Sequence, residues 1–248
     1  IRLARSIIRS LFSGTFLRAA TTLSISADSV IFTPSGFAPS TEFTLSEANV
    51  LRMNLDKILY QVQKPGRYTG GEWNSIIKDW DKTPIRVALI YPDLYEIGMS
   101  NMALPILYEI LNSQPDVLAE RAFAPWPDME KLMRATSTLR QGSGQAGSEQ
   151  AAGIPLFSLE SRRPLKDFDI IGFSLGYELT YTNVLNMLDL AGIPVLASER
   201  DRSYPLVIAG GTCAVNPEPM ADFIDLFAIG EGEEVLLELL ESYRQNKG

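Results

Sequence analysis

The chain has 248 residues, 46% hydrophobic and 21% charged, the balance of a soluble globular protein long enough to bury a sizeable core. It holds no His and one Cys, Cys213. That excludes a Ser-His-Asp triad, a Cys-His dyad, His metal ligands, an internal disulfide and an iron–sulfur cluster held by this chain alone. A net charge of −8 argues against a nucleic-acid groove binder, and no apolar run approaches the roughly 18 residues of a spanning helix.

Residues 1–52 read as an extension without stable order. The opening IRLARSIIRSLFSGTFLRAATTLS is Arg-rich and acid-free, as an organelle transit peptide is, but the chain starts with Ile, so its true start is open. Residues 24–48 are rich in Ser, Thr and Pro without periodicity, and the expected start is near Met53. An amino-terminal arm follows over 53–82, and an α/β domain over 83–248. QGSGQAGSEQAAG, 141–153, reads as a flexible insert in that domain.

IRVALIYP (85–92) is a continuous apolar run, the pattern of a strand buried on both faces. Residues 93–98 form a turn, and 99–114 carry helical spacing with Pro105 as a possible early kink. A short strand is expected over 116–125 and a helix over 127–140, with Pro127 in its first turn. Residues 154–160 make at most an edge element. Then come a buried strand (168–175), a helix ending at Gly192 (176–192), a strand ending in two glycines (205–211), a last strand with its turn (222–232) and an amphipathic helix (233–246). Alternating strands and helices of this kind give a doubly wound parallel sheet covered on both faces. Ligands of such sheets sit beyond the carboxyl ends of the strands. Here those ends carry Asp93, Tyr95 and Gly98; Ser174 and Gly176; Gly210, Gly211 and Thr212; and Gly230, Glu231 and Gly232.

Three of these loops carry a resemblance. Asp93-Leu94-Tyr95-Glu96-Ile97-Gly98 resembles the Asp-x-His-x-x-Gly loop of cobalamin-binding domains, with Tyr in place of His. Ser174-Leu175 resembles the Ser-x-Leu element of those domains, and Gly210-Gly211 their Gly-Gly element. PGRYTGGEWN (65–74), PDLYEIGMSN (92–101) and IGEGEEVLLELL (229–240) resemble the amino-terminal region of radical S-adenosylmethionine (SAM) proteins that carry a cobalamin-binding-type domain.

The resemblance, over about 54–248, implies a flavodoxin-like or Rossmann-like cobalamin-binding fold and a corrinoid at the carboxyl edge. Its candidate contacts are Asp93, Tyr95, Gly98, Ser174, Leu175, Gly210 and Gly211. Gly98 and the glycine pair would leave room for the cofactor's nucleotide tail, and Ser174 would offer it a hydroxyl. With Tyr95 where the ligating His belongs, no imidazole of this chain would hold cobalt, whose lower face would be open or water-bound. The gap from Gly98 to Ser174 is also longer than in the methionine-synthase-like pattern.

A [4Fe-4S] cluster and SAM would belong to a downstream radical SAM domain beyond Gly248, because the three-Cys cluster motif is not in this chain. The expected partners are a corrinoid and that domain, with no nucleic acid and no membrane, in a bacterial cytoplasm. This chain alone is not expected to be catalytic.

Plainer readings stand beside these. Asp93 and Gly98 can make a strand-to-helix turn, Tyr95 can pack against the domain, Ser174 can satisfy backbone, and Gly210-Gly211 can be a tight turn. Glu231, Glu233 and Glu234 read as a helix start, or as a docking feature, and Cys213 as a small buried hydrophobe. Arg67, Tyr68 and Trp73 of the arm would pack under the sheet or against a partner domain. A phosphoacceptor receiver lacks its Asp at Phe173-Ser174-Leu175, and a dinucleotide domain lacks its Gly-x-Gly-x-x-Gly. The serious alternative is the cobalamin-type fold kept as a structural or docking module with no bound corrinoid.

Overall fold

The structure, a computed structural model, describes residues 55–138 and 154–247. Five parallel strands cross it: β1 (Ile85–Tyr91), β2 (Val117–Phe123), β3 (Ile170–Ser174), β4 (Leu206–Gly210) and β5 (Leu226–Phe227). Their order is β2-β1-β3-β4-β5. The helices are α1 (Tyr95–Met99), α2 (Ala103–Ser113), α3 (Pro127–Thr138), α4 (Tyr181–Leu190) and α5 (Gly232–Asn246). This is the expected α/β doubly wound fold. The described residues up to Leu237 fall in one compact unit, and the end of α5, from Glu238, falls in another. The expectations for 1–52 and for the 141–153 insert lie outside the described residues.

The strand order reverses direction between β1 and β3. Because parallel crossovers are right-handed, α2, which leads from β1 to β2, lies on one face, and α3 and α4 lie on the other. The strands alternate accordingly. Ala88, Ile90, Ala122, Ile171, Phe173, Val207 and Ala209 share one buried cluster with Met129 and Met133 of α3 and Val184, Met187 and Leu188 of α4. Arg134 of α3 ties the two helices by reaching Asp189 at 2.8 Å and Asn186 at 2.5 Å.

β2 is an edge strand, and its outward backbone groups at Val117, Ala119 and Arg121 are matched with partners. Lys78 Nζ donates to the Val117 carbonyl at 2.5 Å. The Asn112 amide exchanges two 3.0 Å hydrogen bonds with Ala119. The Arg121 N–H donates to Glu160 at 2.7 Å, and the Leu159 N–H donates to the Arg121 carbonyl at 2.7 Å. The arm and the 154–163 segment thus close this edge to further strands.

Local departures have local causes. The expected turn over 93–98 already holds α1. The Asn101 side-chain oxygen then accepts from the Ala103 and Leu104 N–H groups at 3.0 and 3.3 Å, which starts α2 as a separate helix. Pro105 sits in its first turn, where no N–H is missed. The 154–160 stretch makes one antiparallel bridge, Phe157 to Pro164, rather than a strand. The helix expected from 176 begins at Tyr181, after a 3-10 turn over Glu178–Thr180.

Candidate functional site

The strand order reverses between β1 and β3, and in open α/β sheets the carboxyl ends at such a reversal form the crevice that takes ligands. In this chain, side chains cross it. The Tyr177 hydroxyl, just past β3, donates to Asp93 Oδ2, just past β1. That bond pushes the phenol up to about 12, because a carboxylate partner favours the neutral form. Asn183 Nδ2 in the first turn of α4 donates to the Pro92 carbonyl at 2.9 Å. The other oxygen of Asp93 accepts the Leu94 N–H at 2.7 Å, and the Asp93 carbonyl accepts the Ala124 N–H at 2.9 Å.

Tyr95 turns the other way, toward β2 and the arm. Its hydroxyl donates to Glu72 Oε1 at 2.5 Å, and its ring meets Phe123 edge-on at 5.5 Å. Burial, then Glu72, pushes it up to about 12. It lines a small cleft with Arg67, Tyr68, Phe123 and Phe157, a place separate from the crevice. Beside it Glu96 is held by Arg67 at 2.9 Å and Lys64 at 3.1 Å, which draw its carboxyl down to about 2. Arg67 also lies 5.1 Å from the Trp126 ring centre. The arm thus straps the post-β1 loop.

The glycines divide. A Cβ on Gly98 would fall 2.4 Å from the Phe123 ring and 3.0 Å from Tyr91 Cβ, so neighbouring side chains already use that space. Gly211 has φ +101°, and its Cβ would meet the Leu175 carbonyl oxygen at 2.7 Å. The β3 and β4 loops are knitted there: the Leu175 N–H donates to the Gly210 carbonyl at 2.7 Å, the Cys213 N–H to the Leu175 carbonyl at 3.1 Å, and Thr212 Oγ1 to the Gly176 carbonyl at 2.9 Å. Gly210 is different. Its Cβ would meet only ordinary contacts, the nearest Ala228 O at 3.5 Å. It pairs in register with Ser174, whose hydroxyl makes no hydrogen bond among the described residues.

Ser174 and Gly210 thus set a hydroxyl without a hydrogen bond beside open backbone at the carboxyl edge, while Tyr95 is turned toward Glu72 and away from that edge. Cys213 is buried, as expected of a small hydrophobe. Glu233 and Glu234 sit in the first turn of α5, at a helix start. Residues that sequence reasoning passed over are Tyr177, Asn183 and Glu72. Tyr177 directly follows Gly176 in the post-β3 loop, and that position was its only signal.

The post-strand segments share a composition, with Lys64 and Arg67 of the arm meeting them at Glu96 and Trp126. The segments after the strands, 92–102, 124–126, 175–180, 211–216 and 228–234, contain no Lys or Arg, and they carry Asp93, Glu96, Glu178, Glu231, Glu233 and Glu234. Large apolar side chains stand exposed in the same segments: Ile97, Met102, Tyr177, Leu179, Val215 and Ile229. Such a rim disfavours a pyrophosphate ligand, which recruits positive charge.

No solved structure matches the chain. An uncharacterised protein of Methanocaldococcus jannaschii is 25% identical over 158 residues, 62% of this chain and 26% of that protein, so the chain spans about a quarter of its length. A family described as radical SAM proteins, N-terminal, matches residues 103–248, which include Ser174, Leu175, Gly210 and Gly211 and begin after the Asp93–Gly98 loop. With well over half of its length inside that match, the chain belongs to the family of radical SAM protein N-terminal regions.

Proposed function

We propose that the chain is the amino-terminal module of a radical SAM enzyme and seats its carboxyl edge against the catalytic remainder. SAM and a cysteine-held [4Fe-4S] cluster belong to that remainder. The carrying observation is the gathering of exposed apolar side chains on a rim without Lys or Arg: Leu179 is 84% exposed and Val215 70%. Exposed apolar surface gathered at one edge marks an interaction site, and an acidic excess favours a basic counterpart. The test is co-purification with the radical SAM domain. Leu179→Asp with Val215→Asp should abolish it and leave the melting temperature within about 2 °C of the parent. Retained co-purification by the double variant counts against this face.

A second reading, that the same edge also holds a corrinoid without a histidine lower ligand, is favoured by the unbonded Ser174 hydroxyl beside the open Gly210. Asp93, Ser174, Leu175 and Gly210 would line the tail, and the group would supply methyl-carrier or redox chemistry to the catalytic domain. Titration with hydroxocobalamin, read by its visible spectrum, tests it. Saturable micromolar binding with a base-off spectrum supports it, and no saturable binding by the folded chain leaves a docking module alone.

A further inference from the structure

We propose that Tyr177 is a swinging bar across the β1/β3 crevice, which a ligand must displace to enter. The inference rests on the corrinoid reading and adds to it a positioning residue that controls entry. The main chain on both sides of the bar is pinned: the Gly176 carbonyl accepts Thr212 Oγ1 at 2.9 Å, and the Tyr177 carbonyl accepts Thr180 Oγ1 at 2.8 Å. The side chain is not. It is 38% exposed, and Asp93 is the one hydrogen-bond partner of its hydroxyl among the described residues. Its backbone is extended, φ −160° and ψ 156°, so nothing strains it in place. Rotation about the side-chain bonds, with no loop movement, therefore opens the crevice, and such flips at exposed positions are fast.

The closed state is held by a hydrogen bond to a carboxylate, and an equilibrium held closed lowers apparent affinity by the open fraction. Removing the bond while keeping the ring should then strengthen and speed ligand entry. The Gly176 position has the same logic: a Cβ there would lie 3.2 Å from the Tyr91 hydroxyl, so the path beside the bar is already narrow.

The experiment uses the whole chain, with hydroxocobalamin as probe and its visible spectrum as readout, for the parent, Tyr177→Phe and Tyr177→Ala. Tyr177→Phe should bind about tenfold more tightly, with the gain in the association rate. Binding by Tyr177→Phe with none by the parent is the extreme of the same result. Tyr177→Ala guards against a phenylalanine that settles in the closed position, and it should bind at least as fast as Tyr177→Phe. As a second readout, fluorotyrosine labelling should show the Tyr177 phenol, identified by its loss in Tyr177→Phe, titrating lower once Asp93→Asn removes the carboxylate. Equal binding by all three forms overturns the bar and leaves the corrinoid reading standing. No binding by any form overturns both.

Discussion

Gly98 has a use that its motif does not state. Its missing side chain admits the Phe123 ring beneath the post-β1 loop. Gly98→Ala should cost about 2 kcal/mol in urea unfolding, because an added methyl must push a packed ring aside. Phe123→Leu in the same chain should return at least half of that. A neutral Gly98→Ala would show that the ring yields freely. Glu96 carries a second prediction at this scale. Its carboxyl is held at about 2, against an ordinary 4.5, first by the Arg67 hydrogen bond and with help from Lys64. A depressed carboxylate adds stability that is present above pH 4.5 and is lost as pH falls toward 2. The effect is small, since the side chain is 43% exposed. Between pH 5 and pH 3 the parent should lose more stability than Glu96→Gln, and parallel losses would remove the strap from the account.

Among the elements, β2 shows how an edge strand is made safe. Arg121, 1% exposed, pairs with Glu160 at 2.6 Å, stacks 4.5 Å over the Tyr108 ring and takes Asn74 at 3.3 Å. Burial pushes the Glu160 carboxyl up, and Arg121 pulls against it. Glu160→Gln leaves a buried guanidinium without its counter-charge and should cost about 3 kcal/mol. Arg121→Met with Glu160→Leu should come out close to the parent, and a double-mutant cycle by urea unfolding measures the difference. β1, β3 and β4 were legible because strands buried on both faces read as apolar runs. The start of α2 was not, because Asn101 breaks the helix through side-chain hydrogen bonds that periodicity does not register. The 154–163 segment was not either: its role rests on Glu160 and Leu159 meeting Arg121, about forty residues away.

For the whole molecule, the layout collects one acidic and partly apolar rim from segments far apart in the chain. If that rim docks a basic surface, raising salt from 0.05 to 0.5 M should weaken association with the radical SAM domain about tenfold. The unfolding midpoint of the chain should barely move in the same range. Affinity that holds or rises with salt would mean that the apolar side chains alone carry the contact. The sequence by itself determined the fold class, the carboxyl edge as the place of the polar and glycine residues, and the lack of any imidazole. Those follow from periodicity, chain order and residue counts. Only the tertiary structure decided that Gly98 serves Phe123, that Tyr95 faces Glu72 rather than the crevice, and that Tyr177 meets Asp93 across the point where the strand order reverses. A side chain's direction and its partner depend on packing between distant segments, and spacing along the chain does not encode that.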